Sequence, residues 1–155
     1  ITDEDRDNTY TTTYADVLGS MTSTQTLLNA VVDARFRCGD GSAAIGVIGT
    51  TGYKANGAGG FTTCAGAGIG TASSGTTFAD YVQMAWATGG GAWDLTLLRA
   101  GGLAAQSFTS AFIDGKVAEI VAQPVPGIPE PSTYALMIAG LAGVGFIARR
   151  RGKQA

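Results

Sequence analysis

Histidine is absent from this 155-residue sequence. Its absence removes the commonest general base, the usual nucleophile-activating triads and most zinc sites together. Cysteine occurs only at Cys38 and Cys64, and no Cys-x-x-Cys spacing is present for metal or redox work. Proline is missing from the first 123 residues, and all four prolines crowd into Gln123 to Pro131. Charged residues are scarce, at 14%. Four of the ten bases are Arg149, Arg150, Arg151 and Lys153, so residues 1–133 hold six bases against twelve acids, a net charge of −6. That balance excludes nucleic acid as a partner, because phosphate binding needs a basic face.

What is present is glycine and short β-forming runs. Residues 39–75 hold 12 of the 24 glycines, and each glycine loses more backbone freedom on ordering than other residues do, so much of this stretch is expected to be loop. Tyr10-Thr-Thr-Thr-Tyr14 reads as a strand. Residues 16–32 are ambiguous: Thr22 and Gln25 have capping-box spacing, which suggests a short helix over Thr22–Leu28. From Asn29 to Cys38 the alternation of Ala30, Val32, Ala34, Phe36 and Cys38 predicts a strand. Further strands are expected over Ala43–Ile48 and Gly60–Cys64, with a turn at Asn56-Gly57. Two hairpins complete the reading: Phe78–Ala87 with Ala92–Arg99 around Thr88 to Gly91, and Ser107–Ile113 with Lys116–Ala122 around Asp114-Gly115. The expected fold is mainly β, a small β-sandwich-like domain with Gly-rich loops.

Candidate chemistry is thin. Asp3, Asp5 and Asp7 alternate as calcium-loop ligands do, with Asn8 at the turn, but the twelfth position is Tyr14 and Asp16 comes two places late; a solvated acidic terminus explains them equally well. A glycosidase would need two carboxylates across one bond. The available acids are Asp80, Asp94, Asp114 and Glu119, with Asp114 explained by its turn and the others by exposed strand positions. Gly66 to Gly70 lacks the helix and acidic partner of a dinucleotide site, and Gly115-Lys116 lacks the Ser or Thr of a phosphate loop. Tyr81, Trp86 and Trp93 suit either the core or a sugar-stacking face. The expectation is a non-enzymatic protein without a cofactor or metal.

The most specific stretch comes last. Pro129-Glu130-Pro131 and Ser132 lead into an uncharged run ending at Ala148, which Arg149, Arg150 and Arg151 stop. Such a run sorts into lipid with the arginines at the cytoplasmic face, acting as a stop-transfer signal. Tyr134 to Ala148 spans only about 22 Å as a helix, short of a hydrocarbon core of about 30 Å, so a buried helix of a soluble domain is the competing reading; arginine stems that snorkel make up the difference. Ala135, Ala139 and Gly143 recur every four residues and offer a face for close helix contact.

These features in this order resemble the PEP-CTERM sorting tail of Gram-negative bacteria. The resemblance covers about 25 residues at the chain's end. It implies export through a signal peptide, transient anchoring in membrane lipid, and recognition by an exosortase, a membrane cysteine protease that cuts at or near Pro-Glu-Pro. Many members belong to bacteria that make exopolysaccharide. A chain that begins at Ile1 with no early apolar run is then expected to have lost its signal peptide. Export also permits oxidation, so Cys38 and Cys64 are expected to pair, against the alternative of two buried thiols.

The organisation that follows is an acidic segment (1–9), a β-rich extracytoplasmic domain (10–122), a proline-rich linker with the motif (123–133), one C-terminal transmembrane α-helix (134–148) and a basic cytoplasmic tail (149–155). Three functions remain open. The first is an exported surface or extracellular-matrix protein, held in the inner membrane with its domain in the periplasm and then processed. The second is a bitopic structural subunit that retains its tail and packs it against other transmembrane helices or copies of itself. The third is a carbohydrate-binding module that takes polysaccharide.

Overall fold

The structure is a computed structural model that describes residues 11–72 and 75–123. The chain divides into two compact units, Ile1–Val121 and Ala122–Ala155, and the architecture below is that of the first. Among the described residues, eight strands make two sheets: β1 (Ala30–Val32), β2 (Ala34–Arg37), β3 (Ala43–Ala44), β4 (Gly46–Ile48), β5 (Thr51–Ala55), β6 (Phe61–Cys64), β7 (Gly68–Ala72) and β8 (Gly91–Asp94). The larger sheet runs β1-β8-β4-β5-β6 and the smaller β3-β2-β7. The helices among the described residues are α1 (Tyr14–Ser23), α2 (Gln83–Ala87), α3 (Leu95–Arg99) and α4 (Gly102–Ala122), with a π-helical turn, Thr77–Val82, leading into α2. The fold is thus mainly β with two sheets and several helices, not a sandwich built of hairpins alone. No helix among the described residues is long and apolar enough to cross a membrane.

The larger sheet is covered on both faces, and the period of two along its strands shows how. Ala30, Val32, Val47 and Ala92 belong to one core cluster with Phe36, Val82 and Ala85. Their neighbours Val31 and Trp93 belong to the other, with Ile45, Tyr53, Leu95, Phe108 and Ala111. Successive side chains of a strand point to opposite faces, so β1 and β8 each feed both clusters. A strand buried on both sides need not alternate with polar residues, and all four residues of β8 are buried.

Trp93, 0% exposed, centres the second cluster. Its ring lies 5.2 Å from those of Tyr53 and Phe112 and 6.2 Å from that of Phe108. A buried tryptophan removes about 150–250 Å² from water, an upper limit of about 4–6 kcal/mol at 25 cal/mol per Å². Gly115 of α4 lets that helix approach: a Cβ there would lie 3.0 Å from the indole and 2.8 Å from Ile48 Cδ1.

The expected strand over Asn29–Cys38 is present as β1 and β2, interrupted at Asp33. The strands expected near Ala43–Ile48 and Gly60–Cys64 are present as β3, β4 and β6. At the Asn56-Gly57 turn, Asn56 Oδ1 accepts from the N–H groups of Ala58 and Gly60.

Four expectations are overturned. Phe78–Ala87 is helical because Phe78, Tyr81, Val82, Ala85 and Trp86 fall at i, i+3, i+4, i+7 and i+8, and all five pack into one cluster. Ser107–Ile113 and Lys116–Ala122 are not a hairpin but α4, whose Ser107, Phe108, Ala111 and Gly115 share the buried side. The strand expected to run to Arg99 stops at Asp94, which caps α3. The fourth error is at the amino end, where Thr13 and Asp16 form the capping box of α1. Tyr14 therefore begins a helix rather than ending a strand, and Thr22 closes that helix by donating to Leu18 O. The strands β5 and β7, Thr-Gly-Tyr-Lys-Ala and Gly-Ile-Gly-Thr-Ala, lie among glycines and threonines and carry no hydrophobic period that marks them as strands.

Candidate functional site

The acids singled out in the sequence do not converge. Asp94 ends β8 with its side chain 3% exposed. Its Oδ1 accepts from the Thr96 N–H at 2.8 Å and the Thr96 hydroxyl at 2.5 Å, which satisfies the open amino end of α3. Arg35 Nε stands 3.9 Å from the other oxygen. Burial pushes the Asp94 carboxyl above its ordinary value, opposed by the Thr96 hydrogen bonds and the Arg35 charge and reinforced by Asp33.

Glu119 lies on α4, not on an exposed strand. Its Oε2 accepts from Asn29 Nδ2 at 3.0 Å and Lys116 Nζ at 2.5 Å, while Lys116 also stands over the Phe112 ring. Asn29 Oδ1 accepts from the Gly91 N–H at 2.9 Å. Glu119 thus ties α4 to the first residue of β8, and Asp94 occupies the last. Four strand residues separate these ends by about 10 Å at 3.3 Å per residue, and both carboxylates are committed to holding elements together. Asp114, an exposed residue of α4, and half-buried Asp80 on the π-helical turn lie on other elements. Asn29 carried no signal in the sequence beyond its place before an alternating run.

The aromatic candidates are divided as well. Trp93 is sealed in the second cluster. Trp86 and Tyr81 pack against the first, where the Trp86 Nε1–H donates to Val47 O at 3.3 Å and its ring meets Phe36 and Phe78 edge to face. These three rings do not form one sugar-stacking face. A shallow depression on the other side of α4, lined by Gly59, Ala105, Gln106, Thr109 and Ser110, carries no titratable group.

Of the calcium candidates, Asp3, Asp5, Asp7 and Asn8 lie outside the described residues. Asp16 does not, and it serves the cap of α1: the Thr13 side-chain hydrogen bond, then the Thr13 backbone one, hold its carboxyl below the ordinary value.

Cys38 and Cys64 are joined, with Cα atoms 5.8 Å apart. Cys38 follows β2 of the smaller sheet and Cys64 ends the edge strand of the larger, so the bond fastens the two sheets. The opposing position is Gly52, where a Cβ would meet Cys64 Sγ at 2.6 Å.

The remaining sequence candidates, Pro129, Glu130, Pro131, Ala135, Ala139, Gly143, Arg149, Arg150 and Arg151, lie outside the described residues. A family model of the PEP-CTERM protein-sorting motif matches residues 127–151. The chain carries a PEP-CTERM sorting motif. The motif marks an exported protein that an exosortase recognises and sorts to the cell surface or beyond. No curated protein and no solved structure matches the chain, so the β-rich domain ahead of the PEP-CTERM motif is read from its own physics.

Proposed function

We propose that this PEP-CTERM protein is a non-enzymatic component of the cell surface or extracellular matrix, delivered there by its tail. In this reading residues 134–148 form a single-pass helix in the inner membrane, Arg149, Arg150 and Arg151 stay cytoplasmic, and the domain stands in the periplasm. An exosortase then cuts at or near Pro129-Glu130-Pro131. The observation that carries the reading is the motif match over residues 127–151. Two features of the domain support it. A disulfide between Cys38 and Cys64 suits an oxidising compartment, and the buried acids Asp94 and Glu119 serve caps and inter-element contacts rather than a cleft.

The experiment is intact-mass measurement of the protein isolated from its native host, on the membrane and released fractions. Loss of the residues after Pro131 in the released form is expected. A full-length mass throughout, confined to membranes, overturns processing and favours the second reading, a bitopic structural subunit that keeps its tail. The second reading draws support from α4, whose solvent-facing side carries Ile113, Val117, Ile120 and Val121.

A further inference from the structure

We propose that Lys116 and Asn29 join in an intramolecular isopeptide bond, with Glu119 carrying the protons and ammonia leaving. The three side chains meet where α4 passes the residue before β1. Lys116 Nζ and Asn29 Nδ2 both lie within hydrogen-bond reach of one oxygen, Glu119 Oε2, at 2.5 and 3.0 Å. The other end of the Asn29 amide is held as well, since its Oδ1 accepts from the Gly91 N–H at 2.9 Å. A nucleophile, a proton carrier, an acyl group and a donor on the acyl oxygen are thus assembled in one place.

Each contact has a part in the reaction. Attack needs the neutral amine, and Glu119 Oε2 stands at the distance from which a general base takes a proton. Lys116 Nζ then bonds to Asn29 Cγ. Charge gathers on Oδ1, where the Gly91 N–H is a fixed backbone donor of the kind that stabilises an oxyanion. Glu119 passes the proton it holds to Nδ2, the Cγ–Nδ2 bond breaks and the carbonyl reforms. The nitrogen leaves as ammonia and takes up the surplus proton of the new amide, so Glu119 ends as it began and no co-reactant is consumed.

An ion pair alone accounts for less of this arrangement. The Glu119 side chain is 8% exposed, yet its Oε1 is buried without a hydrogen-bond partner, a costly state for a group whose one duty is to tie α4 down. Lys116 is not an ordinary surface lysine either. Its side chain is 27% exposed and its amine stands over the Phe112 ring, which thins the water around the nucleophile. Every strand among the described residues lies between positions 29 and 116. The bond therefore closes one loop around both sheets and limits the unfolded chain as a disulfide does, but reducing agents leave it intact. The step occurs once per molecule, is no enzyme's turnover, and owes nothing to the tail.

The test is mass spectrometry of the full chain, purified in its folded form. The intact protein should be lighter than its sequence by one ammonia, beyond the two hydrogens of the disulfide. A succinimide at Asn56-Gly57 would give the same mass, so the tryptic peptides made after reduction decide. Trypsin does not cut after an acylated lysine, and residues 7–35 should therefore stay joined to residues 100–149. Lys116→Arg keeps a cation beside Glu119 but has no attacking amine, and Glu119→Gln keeps the shape but carries no proton. Both should show the parent's circular dichroism spectrum, the full mass and separate peptides. Separate peptides from the folded parent protein overturn the proposal, as does a link from Lys116 to any residue but Asn29. A link that survives in Glu119→Gln overturns the part given to Glu119.

Discussion

Gly115 sits in the interior of a 21-residue helix, where replacing glycine by alanine ordinarily gains about 1 kcal/mol. Against that gain stands the contact with Trp93. An added Cβ would meet Cζ2 and Cη2 of the indole at 3.0 and 3.1 Å and Ile48 Cδ1 at 2.8 Å. The Ile48 methyl is the far end of a flexible side chain and turns aside at small cost. The indole has little room, being packed among Tyr53, Phe108 and Phe112 and closed in by Gly46 and Gly91. Overpacking of this kind costs about 1–3 kcal/mol, so Gly115→Ala should come out neutral to about 2 kcal/mol less stable. Gly115→Val, with two more methyl groups, should lose more. Urea unfolding followed by circular dichroism gives the stability, and tryptophan fluorescence reports the environment of the indole. Ile48→Val in the alanine background should recover only part of the loss, because the indole contact remains; a double-mutant cycle isolates that part. A gain of about 1 kcal/mol for Gly115→Ala, the bare propensity value, would mean that α4 does not press on Trp93, and the account of the second cluster would fail.

Two further predictions concern the domain. Replacing both Cys38 and Cys64 by serine frees a loop of 26 residues' separation and should cost about 3.5 kcal/mol in the chain-entropy account; a loss under about 1 kcal/mol in urea unfolding would show that the bond constrains little in the unfolded chain. The second concerns Asp94, whose native value is raised above 3.8 chiefly by burial. Between 3.8 and that higher value the native state holds a proton that the unfolded chain releases, so this group makes stability fall as pH climbs through the window. Asp94→Asn keeps an Oδ1 acceptor for Thr96 and removes the slope, so the variant should gain on the parent as pH rises from 3.8 through the range in which the buried carboxyl loses its proton. Unfolding curves whose midpoints run parallel in the two proteins across that range would refute the desolvation argument.

The tail was the most legible part of the sequence because its signal is an ordered string: Pro129-Glu130-Pro131, an uncharged run and an arginine stop need no tertiary context. Strands were legible where one period dominated, as from Ala30 to Phe36. They were hidden where glycine and threonine carry no hydrophobic period, as in β5 and β7. Helices were misread where two periods coexist. Met84 and Trp86 satisfy a spacing of two, yet Phe78, Tyr81, Val82, Ala85 and Trp86 together satisfy the helical one, and burial chose the longer pattern. Asp114-Gly115 carried the chemistry of a tight turn, but Gly115 is small because Trp93 needs the space. That reason lies 22 positions away in the chain and no local rule sees it. In the candidate site, the roles of Asp94 and Glu119 depend on Arg35 and Asn29 across the fold, whereas the capping box of Thr13 and Asp16 is a local signal, masked by the β-forming run of Tyr10 to Tyr14.

The pairing of β1 with β8 sets an order of events during secretion. Val32 lies beside Asp94 in parallel register, and β8 fills the slot between β1 and β4. A polypeptide threaded across a membrane with its amino end leading delivers both cysteines, and the hairpin of β4 and β5, well before that filler emerges. Until it does, β1 and β4 each present an open row of amide groups to anything nearby, a standing invitation to a wrong neighbour. Cross-linking of the thiols can thus precede closure of the main sheet, and the half-finished molecule is the stage at which a holding factor would be of most use.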